Sequence, residues 1–349
     1  MDGGERSVKR LMVIGGFLGA GKTTVILALA RRLAGEGHRV AVVTNDRGTA
    51  LVDTLYLQSQ GLPAYGLGGG CFCTQLENFH TVLQTIDEAE HPDVVLCEPI
   101  GSSIDLLDKL LGGIAQAFPE GMAIAPLAVV VDPVRLGNWL RRRGTDGATH
   151  LDYVFKKQME QADVLFLNKT DSLRQEEAVA LTAALVEALP GKELLTGSAA
   201  RGAGVEELLA ALNRRDWASW TLPLDLAQHK QAERELGWFG LTYEVTGVRS
   251  LRKLLQETGR QIAMQFPNRD VAHVKFVALD GQDGLKASMT DDSGTVRFST
   301  PNDRTGDFRL IASARVQGEA AQVRRVVSGA LELACRRQKA ACRPVRSAE

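Results

Sequence analysis

The chain has 349 residues, of which 44% are hydrophobic and 24% are charged, and its 41 Lys and Arg against 42 Asp and Glu give a net charge of -1. This balance excludes a protein built mainly to hold nucleic acid or an anionic membrane, and every apolar run is shorter than the ~20 residues that cross a bilayer. The composition is typical of a globular chain of about two domains.

The first part of the chain alternates short apolar runs with stretches of helical periodicity. The predicted strands cover residues 9–14, 38–44, 93–97, 126–131, 163–167 and 193–196. The predicted helices cover residues 22–34, 75–89, 103–117, 151–161, 174–189 and 204–213. Strands that alternate with helices of this length pair in parallel through right-handed crossovers, so we predict a doubly wound, mostly parallel α/β sheet.

The pattern changes near residue 214. A polar stretch with Trp217 and Pro223 predicts a linker over residues 216–236. Beyond it, the predicted elements are strands at 238–246, 271–279, 284–290 and 307–316 and helices at 249–264 and 318–337. We therefore predict a first domain over 1–215, a smaller C-terminal α+β domain over 237–337 with its helices on one face, and a solvated basic tail over 338–349.

A phosphate-binding loop follows the first strand. Residues 16–23 read G-F-L-G-A-G-K-T, which matches G-x-x-x-x-G-K-[ST] between a strand and a helix. We expect Lys22 to contact the β- and γ-phosphates and the Thr23 hydroxyl to bind Mg²⁺. The nucleotide-binding residues predicted here are Gly16, Gly19, Ala20, Gly21, Lys22, Thr23 and Thr24.

The sequence N-K-T-D at the end of the 163–167 strand predicts a guanine site. The carboxylate of Asp171 would accept hydrogen bonds from the guanine ring N–H and amine, while Asn168 and Lys169 pack around the base. Adenine lacks these two donors, and a carboxylate facing it would be left unpaired. Ser198 and Ala199 follow the next strand, where we expect backbone contact with the guanine oxygen.

Acidic residues end two of the predicted strands. Glu98 follows a buried run and precedes Gly101 by three positions, a layout that suits an acid near Mg²⁺ and a backbone amide at the γ-phosphate. Glu98 would bind the metal through water or orient the attacking water, and its alternative role is a cap for the next helix. Asp46 is the second candidate for Mg²⁺ and for catalysis, and Asp53 is a weaker third. Asp132 is expected only to cap a helix.

Two cysteines, Cys71 and Cys73, lie two positions apart after three glycines, where both sulfurs can reach one ion. Two thiolates fill half of a Zn²⁺ shell. Cys97, a water, a carboxylate or the same pair from a second copy in a homodimer would complete it. The alternative is that these thiols are buried hydrophobic residues. Cys335 and Cys342 are expected to be incidental, and the odd total of five favours reduced thiols in a cytoplasm.

Together these motifs resemble the CobW-type GTPases, a group that includes the urease- and hydrogenase-maturation GTPases. The resemblance rests on G-F-L-G-A-G-K-T-T, N-D-x-G, G-G-C-x-C, E-P-x-G and Q-A-D before N-K-T-D, and covers about residues 9–213. It implies a GTP-dependent metallochaperone that binds Zn²⁺ or Co²⁺ through Cys-x-Cys-Cys and serves a client metalloenzyme. Here Thr74 takes the place of the third cysteine, and Thr49 stands where many members have a second acid.

Three functions are compatible with these patterns. The leading hypothesis is a GTPase that delivers a metal or metallocofactor, slow alone because no arginine finger or catalytic glutamine is evident. The second is a metal-independent regulatory GTPase, or chaperone of a cofactor-dependent enzyme, which Thr74 favours. The third is a P-loop enzyme that phosphorylates a small molecule, and the guanine motif argues against it.

Overall fold

A computed structural model describes residues 9–46, 51–118, 122–266, 271–281 and 283–345, with the side chains of Asp46 and Cys73 outside the description. The described chain divides into two compact units. The first contains residues 9–46 and 62–230, and the second contains residues 51–61 and 231–345. Among the described residues, no helix combines the length and apolar content needed to cross a membrane.

The first unit is built on an eight-stranded parallel sheet. Its strands are β1 (Lys9–Gly16), β2 (Val40–Asp46), β3 (Ala64–Gly68), β4 (Val94–Glu98), β5 (Met122–Ile124), β6 (Ala128–Val131), β7 (Val164–Leu167) and β8 (Glu193–Thr196). They lie in the order β3-β2-β4-β1-β6-β7-β8, with β5 paired to the first half of β1. The central strands are almost wholly buried, as expected for a parallel sheet covered on both faces. The predicted doubly wound α/β class is confirmed.

Helices connect these strands and continue through the second unit. The α-helices are α1 (Lys22–Gly35), α2 (Val52–Ser59), α3 (Leu76–Glu90), α4 (Gly113–Ala117), α5 (Pro133–Arg142), α6 (His150–Gln161), α7 (Gln175–Ala188), α8 (Val205–Asn213), α9 (Leu226–Glu235), α10 (Leu251–Gln265) and α11 (Ala320–Gln338). Capping residues determine where two of these helices begin. Asp132 caps α5, which has Pro133 in its first turn, and Thr149 and Asp152 form a capping box on α6.

One predicted helix has a different form. The segment predicted as a helix over 103–117 is a π-helix over Leu106–Gly112 that runs into α4. The chain before it, residues 99–105, is irregular. Residues 101–103 therefore form a loop at the carboxyl end of β4, and π-helical turns often occur near functional sites.

The second unit has a six-stranded antiparallel sheet. Its strands are β9 (Leu236–Val248), β10 (Val271–Asp280), β11 (Asp283–Met289), β12 (Arg297–Phe298), β13 (Gly306–Gln317) and β14 (Ala341–Pro344), in the order β12-β11-β10-β13-β9-β14. Helices α10 and α11 pack on one face, over a core that includes Phe276, Leu310 and Leu331.

Helix α2 covers part of the opposite face of that sheet, although it lies between β2 and β3 in sequence. It packs against β10 and β11. Side chains alternate along a strand, so Lys275 and Lys286 point away from the core face that Phe276 and Leu285 occupy. Both lysines form ion pairs with Asp53 of α2. The expectation of helices on one face only is therefore wrong.

The other differences concern elements with weak sequence signals. Helix α9 fills the second half of the stretch predicted as a linker, and residue 216 is tied to the first unit because Arg10 donates to the Asp216 carboxylate. The predicted tail contains β14, where Cys342 lies opposite Val245 of β9. The sequence did not indicate this edge strand, because the stretch is basic and a strand held by main-chain pairing needs no apolar side chains.

Candidate functional site

The phosphate-binding loop connects β1 to α1 at the carboxyl edge of the first sheet. Gly16 and Gly21 have φ angles of 135° and 99°, which side-chain-bearing residues rarely adopt. A Cβ atom on Gly16 would also collide with the backbone of Val130, and one on Gly21 would meet Asn168 Nδ2 at 2.5 Å. The two glycines are therefore required by the shape of the loop and by its close neighbours.

Lys22 and Thr23, the first residues of α1, meet the carboxylate that ends β4. The Thr23 hydroxyl donates to Glu98 Oε1 at 3.2 Å, and Lys22 Nζ lies 3.9 Å from the same oxygen and 3.3 Å from the Phe17 carbonyl. All three polar side chains are buried. This arrangement places an ammonium, a hydroxyl and a carboxylate together where the loop would hold phosphates.

The N-K-T-D segment contacts the phosphate-binding loop from the end of β7. Asn168 Nδ2 donates to the Ala20 carbonyl at 3.0 Å, and Lys169 Nζ donates to the Gly19 carbonyl at 2.6 Å. Lys169 also pairs with Asp132 at 2.7 Å. Asp132, expected only as a helix cap, therefore also fixes the lysine. The two motifs predicted separately from sequence lie side by side in the first unit.

Asp171 is the last residue of this segment, and Ser198 and Ala199, which lie next to Asn168, are buried. Asp171 is partly exposed and accepts from Arg201 Nε at 3.2 Å. Its partial burial raises the pKa of the carboxyl, but hydrogen bonds to the carboxylate and the charge of Arg201 outweigh that effect and lower the pKa below its usual range. The Ala199 N–H, which was expected at the guanine oxygen, donates to Asn168 Oδ1 at 3.0 Å.

The loop after β4 lies against the phosphate-binding loop. A Cβ atom on Gly101 would meet the backbone N and Cα of Leu18 at 3.0 Å. Only a glycine permits this approach without displacing one of the two loops. The backbone of Gly101 is thus held next to the loop that would carry the phosphates, as the spacing from Glu98 predicts.

The cysteine loop, residues 67–75 from the last positions of β3 to the residue before α3, is held by the end of β2 and reaches the loop after β4. Asn45 Nδ2 donates to the carbonyls of Leu67 and Gly70 at 2.9 and 2.6 Å, and Asn45 Oδ1 accepts from the Phe72 N–H at 2.8 Å. Cys71 Sγ lies 3.1 Å from Ser103 Oγ. The cysteine loop therefore lies between two segments that begin at the nucleotide-binding edge of the sheet.

The other residues considered around the Cys71 thiol offer less support for a metal site. Cys97 is fully buried inside β4, and burial raises the pKa of its thiol well above the ordinary value. The Thr74 hydroxyl donates to the Cys71 carbonyl at 2.9 Å and so stabilises the turn. The side chain of Cys73 lies outside the described structure. Among the described side chains, no group of three or more His, Cys, Asp and Glu is arranged to hold a metal.

The two further acids have different outcomes. Asp46 ends β2 opposite Gly68 of β3, at the expected edge, but its side chain lies outside the described structure. The weak candidate Asp53 belongs to the second unit, where its carboxylate pairs with Lys275 and Lys286. In the sequence, Asp53 is an acid inside an apolar stretch, and that pattern does not distinguish a metal ligand from a partner in a buried ion pair.

Sequence reasoning missed three polar residues that support the site. Asn45 was seen only as part of a motif, Asp132 only as a cap, and Gln158 was not singled out. Gln158 Nε2 donates to the carbonyls of Gly101 and Ser103 at 3.0 and 2.8 Å. Gln158 occupies a buried position of α6, whereas Asn45 and Asp132 lie at or just after the end of an apolar strand, and these placements were the signals available in the sequence.

Comparison with known families and curated proteins agrees with this geometry. The family model described as "CobW/HypB/UreG, nucleotide-binding domain" matches residues 10–195. The zinc chaperone CobW of Pseudomonas aeruginosa is 29% identical over 231 residues, covering 58% of this chain and 59% of that protein. The zinc chaperone YeiR of Escherichia coli is 29% identical over 175 residues, covering 49% and 50%. The chain thus spans about half the length of these curated relatives.

A urease accessory protein and a solved structure extend the comparison. UreG of Mycobacterium bovis is 32% identical over 168 residues, covering 45% of this chain and 64% of UreG. The crystal structure of the Zn(II)-bound YjiA GTPase from E. coli covers 92% of this chain and 98% of YjiA, with 15% identity and a TM-score of 0.41. The family model alone covers more than half of the chain. This protein belongs to the CobW/HypB/UreG family of nucleotide-binding domains.

Proposed function

We propose that the first unit binds and hydrolyses GTP and that hydrolysis controls delivery of a metal ion to a client metalloenzyme. The observation that carries the proposal is the meeting of Lys22, Thr23 and Glu98 beside the phosphate-binding loop, with the N-K-T-D side chains bonded to the same loop. Each of these groups has a distinct task in GTP chemistry.

Hydrolysis adds water to the γ-phosphorus and breaks its bond to the bridging β-γ oxygen, which yields GDP and phosphate. Lys22 would contact the β- and γ-phosphate oxygens and offset the charge that moves to the leaving oxygen. Mg²⁺, when bound, supplies further charge neutralisation across the two phosphates. The hydroxyl of Thr23 and the carboxylate of Glu98 are oxygen donors of the kind Mg²⁺ prefers, with Asp46 as a further candidate. We propose slow turnover until a partner or a second copy completes the site.

The guanine preference is assigned to Asp171. Its carboxylate is held in the ionised form and is partly exposed at the edge of the site. A base with two adjacent N–H donors would replace the contact with Arg201 by two charge-assisted hydrogen bonds. Each such bond to a charged group contributes about 1.5–3 kcal/mol, so the two together predict discrimination against adenine of at least about a hundredfold.

A nucleotide panel tests this part of the proposal. Wild type should bind GTP at least about a hundredfold more tightly than ATP. Asp171→Asn should lose that preference for GTP and gain affinity for xanthosine triphosphate, whose additional carbonyl matches the amide donor. Arg201→Ala is the matched control, because it removes the ion-pair partner and keeps the carboxylate. Equal affinity of the wild type for GTP and ATP would refute the guanine assignment.

The metal part of the proposal rests on Cys71 and on the family. Cys71 is half-buried, and Ser103 Oγ lies 3.1 Å from its sulfur, in the loop that includes Gly101. Cys73 would be the second thiolate, and a water, a carboxylate or a second copy would supply the rest of a Zn²⁺ or Co²⁺ shell. Two curated relatives carry the name zinc chaperone, which favours a metal cargo for this chain.

A metal-independent regulatory GTPase is the alternative. It is favoured by Thr74, whose hydroxyl donates to the Cys71 carbonyl and closes the turn rather than offering a third sulfur. In that case the chain would regulate a cofactor-dependent enzyme through its nucleotide state alone. The two functions differ in one observable quantity, which is the number of metal ions bound with thiolate ligation per chain.

A further inference from the structure

Three consecutive carbonyls in the loop after β4 are held by helix side chains of the first unit. Gln158 Nε2, on α6, donates to Gly101 O at 3.0 Å and to Ser103 O at 2.8 Å. His229 Nε2, on α9, lies 3.0 Å from Ser102 O and donates to it in the Nε2–H tautomer. The loop is therefore fixed through its backbone.

Gln158 makes the larger contribution to this arrangement. Its side chain is 1% exposed, and its Oε1 has no hydrogen-bond partner among the described residues. Burying an amide with one unpaired oxygen has a free-energy cost, and apolar residues would fill this position of α6 without it. The two bonds that Gln158 donates are thus the feature that distinguishes it from an apolar core residue.

The loop that Gln158 bridges contacts two separate parts of the site. At one end, Gly101 lies against Leu18 of the phosphate-binding loop. At the other end, Ser103 Oγ is 3.1 Å from Cys71 Sγ. Helix α6 also contacts the phosphate-binding loop, because Phe155 packs edge-on against Phe17 with ring centroids 5.9 Å apart.

We propose that Gln158 is a positioning residue that transmits the state of the bound nucleotide from Gly101 to Cys71. This inference rests on the proposed GTP binding and specifies how the thiol responds to it. A γ-phosphate would attract the Gly101 N–H, and because one amide binds the carbonyls on both sides of Ser102, residues 101–103 would shift together. Ser103 would then move relative to the Cys71 sulfur.

The rate of Cys71 alkylation measures this transmission directly. Iodoacetamide labelling, assigned to Cys71 by fragmentation of the peptide because Cys73 lies on the same peptide, is compared with GDP·Mg²⁺ and with a non-hydrolysable GTP analogue and Mg²⁺. In the wild type the two rates should differ about fivefold or more, the lower end of typical allosteric couplings. In Gln158→Leu the two rates should become equal within about 1.5-fold, while GDP affinity changes less than about threefold.

Gln161→Leu is the matched control. Gln161 is on the same helix and equally buried at 1% exposed, but its Oε1 accepts from the Leu106 N–H, beyond the loop. This variant should keep the nucleotide dependence of Cys71 labelling. If Gln158→Leu does not fold, Ser103→Ala decides the question: it removes the hydroxyl beside Cys71 and should abolish the dependence without altering nucleotide affinity.

The outcomes separate this inference from the proposed function. A wild type that binds both nucleotides but labels Cys71 at one rate overturns the transmission, and so does a folded Gln158→Leu variant that keeps the wild-type difference. Retained dependence in Ser103→Ala also overturns it. A wild type that binds no guanine nucleotide overturns the proposed function itself.

Discussion

Removing the charge of Asp53 should strongly destabilise the second unit. Asp53 is 5% exposed on α2, and its carboxylate pairs with both Lys275 and Lys286. The ammonium of Lys286 also lies 5.3 Å from the ring centroid of Tyr56. Helix α2 is thus attached to the sheet by one carboxylate between two largely buried ammonium groups.

The expected magnitude follows from these distances. At the 3.0 Å that separates Lys286 Nζ from Asp53 Oδ1, the attraction is about 5 kcal/mol for an effective dielectric constant of about 20. Desolvation of three charges offsets much of this attraction. Removing one partner nevertheless leaves the others buried and uncompensated, which costs about 3–5 kcal/mol. Asp53→Asn should therefore lower the free energy of unfolding of the second unit by about that amount.

Urea unfolding, detected through the hydrogen exchange of peptides from β10 and β11, measures this change within the second unit. Asp283→Asn is the matched control, since Asp283 pairs with Arg304 but is 69% exposed and should cost less than about 1 kcal/mol. The variant Asp53→Leu/Lys275→Met/Lys286→Met replaces all three charges with apolar groups and should recover most of the lost stability. A loss below about 1 kcal/mol in Asp53→Asn would refute the reasoning.

The same ion pairs predict a dependence on pH. Burial alone raises the pKa of Asp53, but the charges and hydrogen bonds of the two lysines outweigh it and hold the pKa well below the ordinary value. Stability from this group is therefore fully present above the unfolded pKa of about 3.9 and is lost as pH falls toward the folded pKa. The Asp53→Asn variant should lack this part of the acid-induced loss, which a pH series of the same unfolding measurement would detect.

Three further substitutions test the nucleotide and thiol sites. Lys169→Met removes the bonds to the phosphate-binding loop and to Asp132, and should weaken GTP binding by about tenfold or more in a fluorescent-nucleotide titration; unchanged affinity would contradict its role. Gly101→Ala brings a Cβ atom to 3.0 Å from the Leu18 backbone, so hydrolysis measured by phosphate release should fall while GDP affinity is retained. An unchanged rate of hydrolysis would exclude the need for a close approach of Gly101 to the phosphate-binding loop. Asn45→Ala leaves the cysteine loop without its three side-chain bonds, so Cys71 alkylation should accelerate, and an unaltered rate would show that the loop is held by other contacts.

Local patterns predicted the parts of the site that depend on a few consecutive residues. The phosphate-binding loop needs positive φ at Gly16 and Gly21, and its position between a strand and a helix is visible in the sequence. The same holds for the strand that ends at Glu98. Parallel strands bring their carboxyl ends to one edge, so the meeting of Thr23 with Glu98 follows from the predicted sheet.

Contacts between distant residues could not be predicted in this way. The partners of Asp53 lie 222 and 233 positions away, and nothing near residue 53 indicates that α2 belongs to the second unit. Gln158 binds carbonyls 57 and 55 positions earlier. Backbone carbonyls have no sequence signature, so a side chain that binds them cannot be distinguished from a solvated one.

The affinity for Zn²⁺ in the two nucleotide states tests the central claim most directly. Calorimetric titrations would compare wild type with Cys71→Ser/Cys73→Ser, with Cys342→Ser as a control thiol in the second unit, each with GDP·Mg²⁺ and with a non-hydrolysable GTP analogue and Mg²⁺. We predict one thiolate-ligated ion per chain or per dimer, an affinity that differs about fivefold or more between the nucleotides, and loss of that ion only in the double variant. Equal Zn²⁺ binding by wild type and the double variant would contradict metal delivery and leave a GTPase that acts on its client without a metal.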